Sequence, residues 1–458
     1  MKKAPASQSE TARSCRELAA EILLKVDERK AYADILLDHA LKTARLSPKD
    51  QALLTQLIYG ALRWRGQLDW QLSRVLERPL AGMNGYLRNL LRLTLYQLLF
   101  LDRVPDYAAV NEGVELAKRR GGAKAAGLVN AIARRLLREK DRLEDLPEGD
   151  AARQLAVRWS HPEWLVKKWL GYFGRDDTEA LLRANNEESP LVLRANRLKV
   201  DREALSRKLS AAGIEAIPSP WAPQAIVLKT GSPVVKLPGF AEGLLQVQGE
   251  ASQLVALLLD PKPGERVLDA CAAPGGKATH IAELMEDRGE IVANDISARG
   301  LEKLKENVRR LGLTCVNAAT AELTQGLKGK LALPYDRILA DVPCSGLGTL
   351  RSHPEAKWQR EGRDVQRLSR LQRKILEQLP RYLKPGGVLV YSTCTLTSEE
   401  NEEVVEDFFR DHDDFLLENA ADFLPEPARR MVRGSYFLAL PHKHGTDGFF
   451  AARMRKTR

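Results

Sequence analysis

Residues 266–280 have the sequence RVLDACAAPGGKATH, in which a short apolar run leads into a pair of glycines. The apolar residues 267 and 268 predict the end of a buried strand, and residues 269–274 predict a turn. The glycines at 275 and 276 allow the backbone to pass close to a ligand before a helix begins. A strand, a glycine turn and a helix N-terminus are the usual place for a nucleotide-like cofactor in an open α/β sheet.

Two other interpretations of this turn are a phosphate-binding P-loop and a purely structural turn. A P-loop would need Gly in place of Cys271 and Ser or Thr in place of Ala278. The next acidic residue favours a cofactor, because Asp295 ends a second predicted strand about twenty residues after the glycines. A carboxylate there holds ribose hydroxyls in doubly wound folds, so we expect an adenosine-containing cofactor.

The composition limits the class of protein. The chain has 458 residues, is 44% hydrophobic and 29% charged, and carries a net charge of +10, which favours a polyanionic partner such as nucleic acid. No stretch is apolar over the about 20 residues that a membrane span needs, and residues 1–8 are too polar for a signal peptide. We therefore expect a cytoplasmic protein with no membrane partner. Five cysteines without a C-x-x-C pair argue against a zinc site, and we expect no metal.

The first third of the chain is predicted to be helical, with Ser47 and Pro48 beginning one helix and two further helices at 108–120 and 125–140. It resembles the NusB-type RNA-binding domain in the phrases at 59–63, 90–93, 96–100, 106–112 and 127–131. The resemblance implies an RNA-docking module. Its candidate phosphate contacts, which are equally compatible with a solvated helix face, are Arg63, Arg65, Lys118, Arg119, Arg120, Arg134 and Arg135.

An acidic segment at 144–150 loses the helical pattern and predicts a linker. We therefore predict three domains, an all-α NusB-like domain at 1–145, a linker with a small α+β subdomain at 146–240, and an α/β Rossmann-like methyltransferase domain at 241–458. Residues 190–199 (PLVLRANRLK) resemble the subdomain that precedes the catalytic domain in RNA cytosine methyltransferases of the Nol1/Nop2/Sun family. That resemblance implies an RNA-recognition-like fold.

Two cysteines follow predicted strands of the third domain. Cys344 follows the strand that ends near Asp341, and Cys394 follows the strand at 388–393. An isolated cysteine after a strand is usually a small buried hydrophobic residue. Because the carboxyl ends of parallel strands meet at one edge of a sheet, both thiols are expected to face the cofactor crevice, and this pairing favours chemistry.

Two thiols and a carboxylate suit methylation of cytosine at carbon 5, which is not nucleophilic in the aromatic base. A thiolate that adds to carbon 6 makes carbon 5 able to attack the methyl group of S-adenosylmethionine. Loss of the carbon-5 proton then expels the thiolate, and a second thiol can assist this step. Asp341 is placed to hydrogen-bond the pyrimidine edge. Physical reasoning does not choose which cysteine attacks, since DNA cytosine methylases attack with a Pro-Cys cysteine.

The same residues resemble the Nol1/Nop2/Sun family over residues 155–458. The resemblance implies that Cys394 is the nucleophile, Cys344 the thiol that assists release, and Asp341 a catalytic residue bordering the cofactor. The implied cofactor residues are Cys271, Ala272, Ala273, Pro274, Gly275, Gly276, Lys277, Asp295, Thr320 and Asp341. Thr320 departs from the family, which usually has an acid there, so that Thr320, a backbone group or Glu322 is left to contact the adenine.

The combination of both resemblances implies a bacterial S-adenosylmethionine-dependent methyltransferase that acts on a cytosine of small-subunit (16S) ribosomal RNA. We expect a monomer that binds this RNA in single-stranded or locally opened form. The basic side chains expected to hold the RNA backbone are Arg351, Lys357, Arg360, Arg363, Arg367 and Arg370. The alternatives are a transfer-RNA cytosine-5 methyltransferase and a non-catalytic RNA-binding factor, which would not bind S-adenosylmethionine.

Overall fold

The computed structural model describes residues 13–139, 145–229 and 233–458. The predictions for residues 1–8, for a helix end at residue 140 and for a linker start at residue 144 therefore lie outside the described residues. The chain forms two compact units, one made of residues up to Leu182 together with His353–Gln359, and one made of Arg183–Ser352 and Arg360–Arg458. The predicted domain boundaries at 145 and 240 stay predictions.

The first unit is helical, as predicted. Ser14 and Ser47 accept backbone N–H groups at the starts of two helices, and Pro48 occupies the first turn of the second. The two helices predicted at 108–120 and 125–140 form one element, broken inside by Gly122 at φ 69°. The described helices of this unit are α1 (Cys15–Arg29), α2 (Ala33–Thr43), α3 (Pro48–Arg63), α4 (Arg65–Val75), α5 (Gly85–Phe100), α6 (Asp106–Arg138), α7 (Ala151–Arg158), α8 (Glu163–Phe173) and α9 (Arg175–Ala184).

The second unit begins with a small antiparallel sheet in the order β2-β3-β1-β4. Its elements are β1 (Leu191–Ala195), α10 (Arg202–Ala211), β2 (Ala216–Pro218), β3 (Ala225–Leu228) and β4 (Leu245–Val247). Leu205 and Leu209 of α10 pack with Leu193 of β1 in the core of this subdomain. The α+β pattern predicted from the sequence is confirmed.

The rest of the unit is built on one mixed sheet in the order β11-β12-β13-β9-β8-β5-β6-β7, with β10 paired to β13. Strands β9, β8, β5, β6 and β7 are parallel, and β13 runs antiparallel to β9. The elements of this part of the chain, of which α14 belongs to the first unit, are α11 (Glu250–Leu259), β5 (Arg266–Asp269), α12 (Gly276–Leu284), β6 (Glu290–Asn294), α13 (Ala298–Leu311), β7 (Val316–Ala319), β8 (Tyr335–Asp341), α14 (Ala356–Gln359), α15 (Gly362–Gln378), β9 (Leu383–Thr393), α16 (Glu402–Asp411), β10 (Phe415–Glu418), β11 (Val432–Arg433), β12 (Tyr436–Ala439), α17 (Pro441–His444) and β13 (Phe449–Lys456).

Helix α13 shows why this sheet is covered. Its leucines at 301, 304 and 311 are buried at helical spacing, while its charged residues other than the half-buried Arg310 face solvent. The strand that precedes it, β6, ends one residue before Asp295. The α/β arrangement predicted around the glycine turn is therefore confirmed.

The short segment His353–Gln359 contains α14 and belongs to the first unit. Lys357 Nζ donates to the Arg63 carbonyl at 2.9 Å, and Trp358 Nε1 donates to the Leu62 carbonyl at 2.7 Å. Lys357 is completely buried and Arg63 is buried, so the prediction that these two side chains contact RNA is wrong. Among the described residues, no helix is long and apolar enough to cross a membrane.

Candidate active site

The glycine turn links β5 to α12 at the carboxyl edge of the sheet. Gly275 has φ 100°, and a Cβ there would lie 2.9 Å from Leu304 Cγ and 3.2 Å from Leu304 Cα, so the position accepts only glycine. A Cβ on Gly276 would meet only Gln248 Nε2, at 3.9 Å. The backbone of the turn is therefore held on one side and open on the other.

Asp295 fixes this turn to the end of β6. Its Oδ2 accepts the Ala273 backbone N–H at 3.0 Å, and its Oδ1 accepts the Ser297 N–H at 2.8 Å. The Ala272 N–H donates to the Asn294 carbonyl at 2.8 Å. The structure thus brings the predicted acid and the predicted cofactor turn together.

Asp269 lies behind the turn, and the sequence analysis did not assign it a role. Its side chain is 1% exposed, and both carboxyl oxygens are buried without a hydrogen-bond partner. Burial, with the nearby charge of Asp341, raises the pKa of Asp269 to about 8, because Lys277 offsets only part of this cost. An unpaired carboxyl at the cofactor edge of the sheet would be stabilised by a cationic ligand group.

Thr320 lies exposed just after β7, where the sequence analysis expected a group for the adenine. The other candidate, Glu322, accepts the Thr324 backbone N–H and hydroxyl at 3.2 and 2.9 Å. Its carboxylate therefore caps a short helical turn, which favours Thr320 or a backbone group for a cofactor contact.

Asp341 at the end of β8 is held through both oxygens. Lys277 Nζ donates to Oδ2 at 2.7 Å, and Ser392 Oγ donates to Oδ1 at 2.8 Å. The Lys277 ammonium also lies 5.0 Å from the centre of the Phe449 ring. Burial by itself would lower the pKa of Lys277, but the charge and hydrogen bond of Asp341, together with Cys394 and Asp269, outweigh it and raise the pKa, so that the lysine is charged.

The two cysteines predicted to share the crevice lie side by side. Cys344 Sγ is 3.3 Å from Cys394 Sγ. The hydrogen bond to Cys394, together with burial, raises the pKa of Cys344 well above its usual value, so Cys344 keeps its proton at neutral pH. All five cysteines lie in the described part of the chain and are free thiols, and Cys15 and Cys315 are buried apart from the site.

The remaining basic candidates fall into two groups. Arg351 is buried and donates to the Gly445 and Glu188 carbonyls at 2.6 and 2.9 Å, so its predicted RNA contact is wrong. Arg360 donates to the Ser345 carbonyl at 3.1 Å, beside the first thiol. The side chains that remain exposed are Arg363, Arg367 and Arg370 on α15 and Lys118, Arg119, Arg120, Arg134 and Arg135 on α6. Arg65 is partly buried in an ion pair with Asp27.

The sequence analysis also missed the polar side chains that surround the two thiols. Ser392 lies two residues before Cys394 and was assigned no role from the sequence, although its hydroxyl donates to Asp341. Glu400 and Asn401 are completely buried beside the loops that carry Cys344 and Cys394. Only the proximity of Ser392 to Cys394 in sequence was a usable signal, since a Glu-Asn pair after a strand is common on helix surfaces.

A glycine turn, an acid after the second strand and reactive side chains after β8 and β9 define a Rossmann-like methyltransferase. Three family descriptions match the chain: NusB family over residues 13–138, an RsmF/B-like ferredoxin-like domain over 161–235, and 16S rRNA methyltransferase RsmB/F over 256–455. The chain belongs to the RsmB/F methyltransferase family.

Relatives cover nearly the whole chain. The probable ribosomal RNA small subunit methyltransferase B of Bacillus subtilis is 40% identical over 97% of this chain and 99% of its own length. The ribosomal RNA small subunit methyltransferase B of Klebsiella pneumoniae is 36% identical over 97% and 98%.

Solved structures show the same architecture. The crystal structure of PH0851 is 28% identical, has a TM-score of 0.82 and covers 98% of this chain and 100% of that chain. The structure of NSun6 from Pyrococcus horikoshii with SFG is 26% identical, has a TM-score of 0.58 and covers 65% of this chain and 98% of that chain. The expected helical, small α+β and methyltransferase domains are confirmed, and the small α+β domain is ferredoxin-like.

Proposed function

We propose that this protein transfers a methyl group from S-adenosylmethionine to carbon 5 of a cytosine in 16S ribosomal RNA, through a covalent bond between Cys394 and carbon 6. The observation that carries the proposal is the pair of thiols 3.3 Å apart. They lie beside an Asp341 carboxylate that is itself fixed by Lys277. A methyltransferase acting on an already nucleophilic nitrogen or oxygen would need neither thiol.

Cys394 supplies the attacking thiolate. Its addition to carbon 6 places the displaced electron pair on carbon 5 and on the polar edge of the ring, where the charged Lys277 stabilises the negative charge and Asp341 accepts a hydrogen bond from the amino group. Carbon 5 would then bond to the methyl carbon as the bond between that carbon and the sulfonium sulfur breaks, with S-adenosylhomocysteine as the leaving group. Loss of the carbon-5 proton to water re-forms the double bond between carbons 5 and 6 and expels Cys394 as a thiolate. Cys344, which keeps its proton and lies at 3.3 Å, assists this release by donating its S–H to the leaving thiolate.

The residues of the turn fit S-adenosylmethionine. Gly276 leaves an open backbone edge, Asp295 lies where ribose hydroxyls are held, and the burial of the Asp269 carboxyl is only partly offset by Lys277. When bound, the cofactor supplies an electrophilic methyl group. The turn residues 271–277 and Asp295 would hold it, and Thr320 would face its adenine.

The substrate proposed is single-stranded or locally opened RNA, because both faces of a cytosine must be accessible to the thiol and to the methyl donor. The names of the bacterial relatives support small-subunit ribosomal RNA over transfer RNA. We propose that the protein acts in the cytoplasm as a monomer.

The test is a denaturing gel of small-subunit ribosomal RNA incubated with S-adenosylmethionine and either Cys344→Ala or Cys394→Ala protein. We expect Cys344→Ala to retain a covalent RNA adduct, because attack occurs and release fails, and Cys394→Ala to form none. The reverse pattern would exchange the two roles. An adduct with transfer RNA but not with ribosomal RNA would show that the substrate is transfer RNA. If the wild-type protein binds RNA but not S-adenosylmethionine, the protein is a non-catalytic RNA-binding factor.

A further inference from the structure

The side chain of Glu400 is bonded to the residue that follows Cys344. Glu400 Oε1 accepts the Ser345 backbone N–H at 2.8 Å, and Oε2 accepts the Ser345 hydroxyl at 2.5 Å. Gln372 Nε2 donates to Oε1 at 3.0 Å, and the Thr397 hydroxyl donates to Oε2 at 2.9 Å. Two charge-assisted bonds on one residue fix the Cys344 loop strongly, because hydrogen bonds to an ionised group are about twice as strong as neutral ones.

The next residue, Asn401, is bonded to both neighbours of Cys394. The Thr393 hydroxyl donates to Asn401 Oδ1 at 2.6 Å, and Asn401 Nδ2 donates to the Thr395 carbonyl at 3.1 Å. Glu400, Asn401 and these two threonines are completely buried. Asn401 therefore fixes the chain on either side of the second thiol.

Neither side chain is available for proton transfer. Both oxygens of Glu400 already accept two donors each. The hydrogen bonds of the Glu400 and Asn401 side chains go to neighbours of the two cysteines and not to the thiols. Their hydrogen bonds reach the thiols only through Ser345, Thr393 and Thr395, and the charge of Glu400 also contributes to the raised pKa of Cys344. A displacement of about 1 Å in a reacting group costs on the order of a hundredfold in rate, so such support is consequential.

We propose that the adjacent residues Glu400 and Asn401 are positioning residues for different steps, Glu400 for release through Cys344 and Asn401 for attack by Cys394. This rests on the function proposed above. The division follows from the contacts, since the Glu400 carboxylate bonds the Cys344 loop directly at Ser345, whereas Asn401 bonds both flanks of Cys394. The two loops are joined by the hydrogen bond between the Ser345 and Thr395 hydroxyls at 2.7 Å and by the Gly348 N–H, which donates to the Cys394 carbonyl at 2.9 Å.

Loosening one loop then stops one step. A Glu400 variant keeps the held Cys394 and attacks carbon 6, but the displaced Cys344 fails to assist release, so RNA remains bound to Cys394. An Asn401 variant loses the attack itself and leaves the RNA free. A merely structural role would reduce both steps together and would accumulate no adduct in either variant.

The experiment uses the full chain, small-subunit ribosomal RNA and S-adenosylmethionine, with adduct measured on denaturing gels and methyl transfer measured in parallel. We expect Glu400→Ala to accumulate roughly tenfold or more adduct relative to wild type, and Asn401→Ala to form little adduct and to transfer methyl roughly a hundredfold more slowly. Glu400→Gln and Asn401→Asp, which keep side-chain size, are measured in the same way in case the alanine variants fold poorly. Glu403→Gln is the control, because Glu403 is exposed and its carboxylate accepts the Ser398 hydroxyl at 2.9 Å.

Cofactor affinity and the unfolding temperature are measured for every variant, and only variants that bind S-adenosylmethionine like wild type are compared. Adduct in Cys344→Ala but in no Glu400 variant would overturn the assignment of Glu400. Adduct in an Asn401 variant would overturn the assignment of Asn401. Absence of adduct from Cys344→Ala and Cys394→Ala alike would instead be a failure of the proposed function.

Discussion

Lys277 Nζ lies 2.7 Å from Asp341 Oδ2, and this ion pair joins the first turn of α12 to the end of β8. The side chains are 11% and 26% exposed, so the pair is only partly screened by water. Lys277 was predicted to lie in the cofactor turn, and Asp341 was predicted both to contact the base and to border the cofactor. Their contact connects the two halves of the site, and it makes Lys277 a candidate for acting on the base as well.

The first prediction concerns this lysine. We expect Lys277→Met to slow methyl transfer by about a hundredfold, because Asp341 loses the cation that orients it and the ring loses a nearby positive charge. S-adenosylmethionine affinity should fall far less, as measured by calorimetry. Lys305→Met, which removes an exposed lysine paired with Glu302, is the control. An equal loss of affinity and rate would return Lys277 to the purely cofactor-binding role.

The helices, strands and turns of the fold could be predicted from the sequence, because each of these elements depends on residues that are close together in the chain. The glycine turn, the apolar strand before it and the helical spacing of the leucines in α13 can each be recognised within a short stretch of sequence. The break in α6 was placed between two predicted helices for the same reason, as Gly121 and Gly122 interrupt the pattern.

The burial of individual charged side chains could not be predicted in this way. Arg351 and Lys357 have the sequence character of surface residues, yet each donates to backbone carbonyls from segments distant in the chain. The orphan carboxyl of Asp269 and the paired contacts of Glu400 and Asn401 likewise depend on which loops the sheet brings together. Such long-range partners leave no periodic signal in one sequence.

The second prediction concerns Thr320, which lies exposed just after β7. We expect Thr320→Asp to tighten S-adenosylmethionine binding by up to about tenfold, since a hydrogen bond to a charged acceptor contributes roughly 1.5 kcal/mol. Calorimetry against Thr320→Asn, which has the same shape without the charge, isolates the carboxylate. Weaker binding in the aspartate variant would show that Thr320 does not face the cofactor.

The third prediction concerns the exposed face of α15 formed by Arg363, Arg367 and Arg370. Replacing all three by Ala should weaken RNA binding and reduce the slope of log affinity against log salt by roughly 2, because each phosphate contact on a single strand contributes about 0.7. A triple Ala variant of the exposed Lys303, Lys305 and Arg309 on α13 is the control with the same loss of charge. Equal slopes for the two triple variants would show that the three arginines of α15 do not contact the RNA phosphates.

The fourth prediction concerns Asp269 and stability. Its pKa is raised from 3.8 to about 8 in the folded protein, so the folded state keeps a proton that the unfolded chain loses above about pH 4. The unfolded state is therefore increasingly favoured as pH rises from about 4 to 8, and the full cost is present above pH 8. We expect the unfolding temperature of Asp269→Asn, measured relative to that of wild type, to rise steadily between pH 5 and pH 9. A constant difference would mean that the Asp269 carboxyl does not titrate in this range.

The fifth prediction tests why such a costly group is present. A cationic group of S-adenosylmethionine bound beside Asp269 would lower its raised pKa, so the carboxyl would release close to one proton on binding at pH 7. Calorimetric titration of wild type in buffers of different ionisation enthalpy, such as phosphate and Tris, measures this proton. Asp269→Asn should release none and bind more weakly, whereas Asp260→Asn, at the end of α11, should match wild type. The same proton release from wild type and Asp269→Asn would assign the proton to another group and leave the Asp269 carboxyl without a role toward the cofactor.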